Sequence, residues 1–383
     1  MQYDFDQVIE RRGTDSNKWQ RYGEDVIPLW VADMDFISAR PILVALHRRV
    51  DHGIFGYSRP IQELRNTILE RLKRLYQWEI RGDDIVFLPG LIPGLNAASQ
   101  AFAHPGDGVL VQTPVYHHFV HDPVLHDRMV QDCPLAEKED TYEIDFDQFE
   151  KTITRQSRVF LFCNPHNPVG RVYRENELRR IAEICLRHGI ILCSDEIHCD
   201  LVYTGCRHIP IATLSPEVAR QTVTLMAPSK TFNLAGLSCG FAIIQNPRLR
   251  KIWETFCHGL IPYVNITGHV AALAGYRDGQ EWLDQALVYL EANRDFLDRY
   301  LKDHLPQLRM KRTEATYLAW LDCRDAGIPG NCSEFFLRKA KVALNEGSEF
   351  GKGGEGFVRL NFACPQKTLT EGLDRMASAL KKA

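Results

Sequence analysis

Six strand-length apolar runs, separated in several places by helical patterns, constrain this chain more than any other feature. They are DIVFLPG (84–90), GVLVQTP (108–114), RVFLFCNP (158–165), GIILCSD (189–195), TVTLMAPSK (222–230) and CGFAIIQN (239–246). A strand that is apolar on both faces must be covered on both, so the pattern predicts a parallel sheet with helices on either side. IQELRNTILERLKRLY (61–76) places Ile61, Leu64, Ile68, Leu72 and Leu75 on one helical stripe. Its Arg71, Lys73 and Arg74 read as a solvated face. A second helix is predicted over ENELRRIAEICLRH (175–188). Open α/β sheets bind ligands outside the carboxyl ends of their strands. Here those ends read PG, TPVY, NPHNP, SDEIH and APSK, so the unusual chemistry gathers on one edge.

After about residue 280 the pattern changes. A long helical stretch leads to a strand-like EATYLAWLDC (314–323), a helix over SEFFLRKAKVALN, a glycine-rich loop and a strand in FVRLNFA. This predicts a large domain over 40–280 and a smaller α+β domain built from 1–39 and 281–383. Hydrophobic residues make up 45% of the 383, enough for a sizeable core. The net charge of −3, with both signs interspersed, gives no reason to expect nucleic acid as a partner. No apolar run reaches membrane-spanning length. Eleven cysteines without a Cys-x-x-Cys, several of them in apolar runs, read as reduced core thiols. The acidic N-terminus has no apolar segment of signal-peptide type. A cytoplasmic location is the expectation from these features.

Each strand-end motif has a bland reading and a chemical one. Lys230 of APSK follows a strand with no other charge. Such a lysine most often reaches solvent, but in a desolvated site its pKa falls and it can join covalently to an aldehyde cofactor. LPGLIPGLNAAS (88–99) turns from strand into helix. The free N–H groups of Gly90, Leu91 and Ile92 would suit a phosphate there, though a plain turn explains the motif as well. CNPHNPVG (163–170) is a loop stiffened by two Asn-Pro steps. In SDEIHCD (194–200), Asp195 leaves the strand first, and a carboxylate facing a pyridine nitrogen keeps it protonated. A metal reading would need a second cluster at ligand spacing, and HHFVHD (117–122) is a weak candidate.

Nine motifs in order give a family resemblance: VADMDF, FGYSRP, LPGLIPGL, TPVYHHF, CNPHNPVGRVY, SDEIHCDL, APSKTFNLAGL, EATYLAWLD and GFVRLNFACP. Together they resemble the fold-type-I pyridoxal-phosphate enzymes of the aspartate aminotransferase superfamily. More narrowly, they resemble the MalY/PatB family of cystathionine β-lyases. The resemblance implies an α/β fold, with a mainly parallel seven-stranded sheet in the large domain, and pyridoxal 5'-phosphate as cofactor. It implies that Lys230 holds the cofactor covalently, Asp195 pairs with its ring nitrogen, Asn167 bonds its phenolic oxygen and Tyr116 stacks on its face. Gly90, Leu91 and Ile92, with Ser229, would hold the phosphate. Tyr57 would reach the phosphate of a neighbouring subunit, which implies a homodimer, and Arg359 would grip the substrate carboxylate. Two positions depart from the aminotransferase pattern. His198 stands where many aminotransferases have a tyrosine, which suits the lyases, and Ser238 stands where many have a phosphate-binding arginine. The implied reaction is elimination of a thiol from cystathionine or a related cysteine conjugate. Transamination of amino acids is the alternative.

Overall fold

The computed structural model describes residues 2–382. Its centre is a seven-stranded sheet of β1 (Ile85–Leu88), β2 (Gly108–Val111), β3 (Met129–Asp132), β4 (Ser157–Cys163), β5 (Ile191–Asp195), β6 (Thr222–Met226) and β7 (Gly240–Ile243), in the order β1-β7-β6-β5-β4-β2-β3. The pairs β2–β3, β2–β4, β4–β5 and β5–β6 are parallel. β7 runs antiparallel to both of its neighbours. The reason lies in the connection from β6 to β7, whose one α-helix is the single turn Pro228–Thr231. A parallel crossover needs a longer covering element. β3 was not among the six predicted runs because MVQD sits at the sheet edge, exposed or half-buried, and lacks the apolar pattern.

Side-chain alternation explains why both faces are covered. Val109, Val111, Val159 and Leu161 pack on one face with Leu95, Ala97 and Ala98 of the helix Leu91–Ala101. Leu110, Phe160 and Phe162 pack on the other with Leu178, Ile181 and Cys185 of the helix Glu175–His188. That helix has the predicted bounds. Glu177 caps it by accepting from Arg174 N, and Gly189, at φ 66°, ends it.

Two readings need correction. The helix Gln62–Tyr76 buries Leu64, Ile68 and Leu72 as predicted, but it also buries Arg71, which is not on a solvated face. Arg71 Nη2 lies 2.7 Å from Asp200 Oδ1, so the charge is buried because it is paired. The helix predicted over SEFFLRKAKVALN ends at Ala340. Lys341, at φ 57°, then turns the chain into Val342–Ala343, which pairs in parallel with Ile27–Pro28 near the N-terminus. A four-stranded antiparallel sheet is built from Arg309–Met310, Leu318–Asp322, Phe357–Asn361 and Asn345–Glu346. The 25-residue helix Gln280–His304 precedes it.

Candidate active site

The carboxyl ends of the parallel strands open into a cavity of about 440 Å³. Lys230, Asp195, Tyr116, Asn167, His198, Gly90, Leu91, Ile92, Ser229 and Arg359 all line it. Tyr57 does not. It lies fully exposed in a stretch without regular structure. A larger surface hollow, about 870 Å³, is lined by residues such as Glu137, Lys311 and Arg324 and contains none of the predicted site residues.

Lys230 sits in the short helix Pro228–Thr231 just after β6, and its Nζ donates to Ala32 O at 2.6 Å. Burial, reinforced by the Arg359 charge, lowers its pKa to about 8, with Asp33 and Asp195 opposing. Asp195 ends β5 and is buried, and its Oδ1 accepts from Ile197 N at 3.0 Å. Burial raises its pKa to about 7; the Ile197 N–H and Lys230 oppose the rise and Glu196 adds to it. Glu196 is itself occupied by Ser194 Oγ, His208 Nε2 and Ile211 N.

Arg359, in the strand Phe357–Asn361, is buried without a carboxylate hydrogen-bonded to it among the described residues. Its acceptors are neutral: Asn167 Oδ1 at 3.1 Å, Asn345 Oδ1 at 2.7 Å and Trp30 O at 3.2 Å. Its Nε has no partner among the described residues. Burial lowers its pKa to about 10. A buried guanidinium in this state suits an incoming carboxylate. His198 is buried, with Nδ1 unpartnered among the described residues. Burial and then the nearby Lys230 and Arg359 hold its pKa well below the ordinary value, so it is neutral at pH 7.

Gly90 begins the helix Leu91–Ala101 at φ 142°, where a side chain would be strained, and no side chain caps that terminus. Gly90, Leu91 and Ile92 line the cavity, so this uncapped helix start borders it, as a phosphate would require. Ser229 and Ser238 line the same wall. The donor set fits pyridoxal phosphate on chemistry alone. It offers an amine of lowered pKa for the aldehyde, a carboxylate short of positive charge for the ring nitrogen, and an uncapped helix start for the phosphate.

The motif reading missed Trp30, Val31 and Ala32, which form one wall, and His117, Asn17 and Asn345. VADMDF marked the first group, but nothing local in it says that a carbonyl there would meet Lys230. His117 follows Tyr116 directly, with the two ring centroids 4.6 Å apart. Burial, with His118 and Arg359 nearby, lowers its pKa to about 4.

Fold and site together define a type-I pyridoxal-phosphate architecture, and comparison with known proteins agrees. The chain belongs to the aminotransferase class I and II family, which it matches over residues 24–376. It is 40% identical over 384 residues to cystathionine beta-lyase PatB of Bacillus subtilis, covering 98% of this chain and 99% of that protein. Cystalysin from Treponema denticola, whose crystal structure contains pyridoxal 5'-phosphate, superimposes with a TM-score of 0.96 at 35% identity over the full length of both chains. The PLP-bound C-S lyase from Staphylococcus hominis gives a TM-score of 0.94 at 34% identity, covering 99% of this chain and 98% of that one.

Proposed function

We propose that this protein is a pyridoxal-phosphate-dependent carbon–sulfur β-lyase. It eliminates a thiol from L-cystathionine or a related cysteine S-conjugate, leaving pyruvate and ammonia. The observation that carries this reading is the shared cavity of Lys230, Asp195 and an unpaired Arg359, in a chain 40% identical to a cystathionine beta-lyase. When bound, the cofactor supplies an electron sink that stabilises negative charge at the substrate Cα. The remaining work falls to side chains. Asp195 would keep the ring nitrogen protonated, with Tyr116 to stack on the ring and Asn167 to bond its phenolic oxygen. Gly90, Leu91 and Ile92, helped by Ser229, would hold the phosphate, and neutral His198 lines the same cavity. Arg359 would bind the substrate α-carboxylate, and the amine of Lys230 would carry the Cα proton.

The reading includes a homodimer in which Tyr57 reaches the neighbouring phosphate. Support comes from Ile54, Phe55, Tyr57, Leu260 and Tyr263, all exposed on the single chain. It also includes a large unit over 40–280, a smaller unit of 1–39 with 281–383, and a cytoplasmic location that suits eleven free cysteines. No helix among the described residues is long and apolar enough to cross a membrane.

The test is pyruvate release from L-cystathionine with no 2-oxo acid present. Release in the native protein, lost in Lys230→Ala together with the visible absorbance of the bound cofactor, is the expected result. A strict need for an oxo acid would overturn the lyase in favour of the aminotransferase.

A further inference from the structure

Ala32, in the cavity wall, offers one carbonyl oxygen to two donors, Lys230 Nζ at 2.6 Å and Tyr317 Oη at 2.8 Å. The peptide around it is clamped from three sides. Asn361 Nδ2 donates to the carbonyls on either side of Ala32, to Val31 at 2.5 Å and to Asp33 at 2.6 Å. Asn233, three residues past Lys230, pairs with Met34 through both its amide groups, at 2.9 and 2.8 Å. The third clamp is ionic. Lys18, with its side chain fully buried, places Nζ 2.7 Å from Asp35 Oδ2 and 3.3 Å from Asp33 Oδ1. Arg11 Nη2 lies 2.9 Å from Asp33, and Trp19 Nε1 donates to Asp35 at 2.8 Å.

Two cations thus balance two anions in a largely dry cluster. Such a cluster rarely stabilises a fold more than apolar packing would, so its use is better sought in what it fixes. Its two carboxylates stand one and three residues beyond the carbonyl that receives Lys230. We propose that Lys18 and Asp35 are positioning residues: through the Asp33–Asp35 backbone they set the Ala32 carbonyl, and so orient the free amine of Lys230. The proposal rests on Lys230 as the proton carrier of the preceding section. The charged groups facing that amine are Asp33 and Asp195, which favour its protonated form, and Arg359, which opposes it. Neutral His198 lies near it, and Tyr317 shares its acceptor.

Exchange of the α-proton of L-alanine for solvent deuterium, followed by proton NMR on the holoenzyme, needs no leaving group and isolates the proton step. In Asp35→Asn the exchange rate at saturating alanine is expected to fall about tenfold or more, with KM little changed. The pH at which the visible absorbance of the bound cofactor titrates is expected to move by about half a unit, which mere loss of stability would not produce. A lower melting temperature with exchange and titration unchanged overturns the proposal. Should Asp35→Asn fail to fold, Lys18→Gln breaks the same cluster from the cation side and carries the same expectation of slowed exchange, and unaltered exchange there overturns the proposal. Native enzyme that exchanges no α-proton removes the proton-carrier role and this proposal with it. Native enzyme that exchanges but releases no pyruvate defeats only the lyase.

Discussion

At the scale of single residues, the site holds charges in states that folding alone disfavours. Asp195 is the clearest case. Its pKa is raised from 3.8 to about 7 by burial, so the folded, cofactor-free chain keeps a proton that the unfolded chain loses. Where the folded state binds more protons, stability falls as pH rises, here across the window from the ordinary carboxyl value to about 7. Asp195→Asn removes that fall. The cofactor-free variant is expected to be more stable than the parent at about pH 8, by a few kcal/mol at most, and no more stable at about pH 4. Thermal melts at the two pH values check this, and the same variant should bind the cofactor less tightly. Lys230 and Asp195 stood out in the sequence as charged residues at the ends of apolar runs, though only the family resemblance gave them roles, and Arg359 came from that resemblance alone. Lys18 and Arg71 did not stand out, because each lies among other polar residues in a stretch that looks solvated.

At the scale of elements, the helix Leu91–Ala101 must lie close to the sheet for its start to face the cavity. Gly94 permits the approach: a Cβ there would stand 3.1 Å from three methyl groups of Leu225 and Leu88. Gly94→Val is therefore expected to push the helix outward, at a cost of about 1–3 kcal/mol, and to weaken cofactor binding with it. Denaturant melts and cofactor titration measure the two effects. Gly82→Ala, where an added atom meets nothing within 4 Å, is the control and should change neither. Periodicity found six of the seven strands of the central sheet and the helices Gln62–Tyr76 and Glu175–His188, because it is a local signal. It failed at β7, whose direction depends on the connection before it, and at Ala340, where the chain leaves the helix to pair with Ile27–Pro28.

At the scale of the whole molecule, the exposed Ile54, Phe55 and Tyr57 are what a second copy would cover under the proposed dimer. Sedimentation of the native protein should then give the mass of two chains. Substituting Phe55 and Tyr57 by serine should make both mass and activity depend on concentration in the low micromolar range and below. A native protein that sediments as one chain with full activity would remove the dimer and the role of Tyr57 together.

Which chemical groups stand at the strand ends was decided by the sequence alone, since strand length, apolar runs and the turns after them are set by neighbours a few residues apart. How those groups are held was decided only by the tertiary structure. The amine of Lys230 finds its acceptor 198 positions away at Ala32, and Asn361 reaches back 328 positions to Asp33. Contacts of that reach have no local signature, because they exist only once sheet packing and the buried ion cluster have brought the two ends of the chain to one cavity.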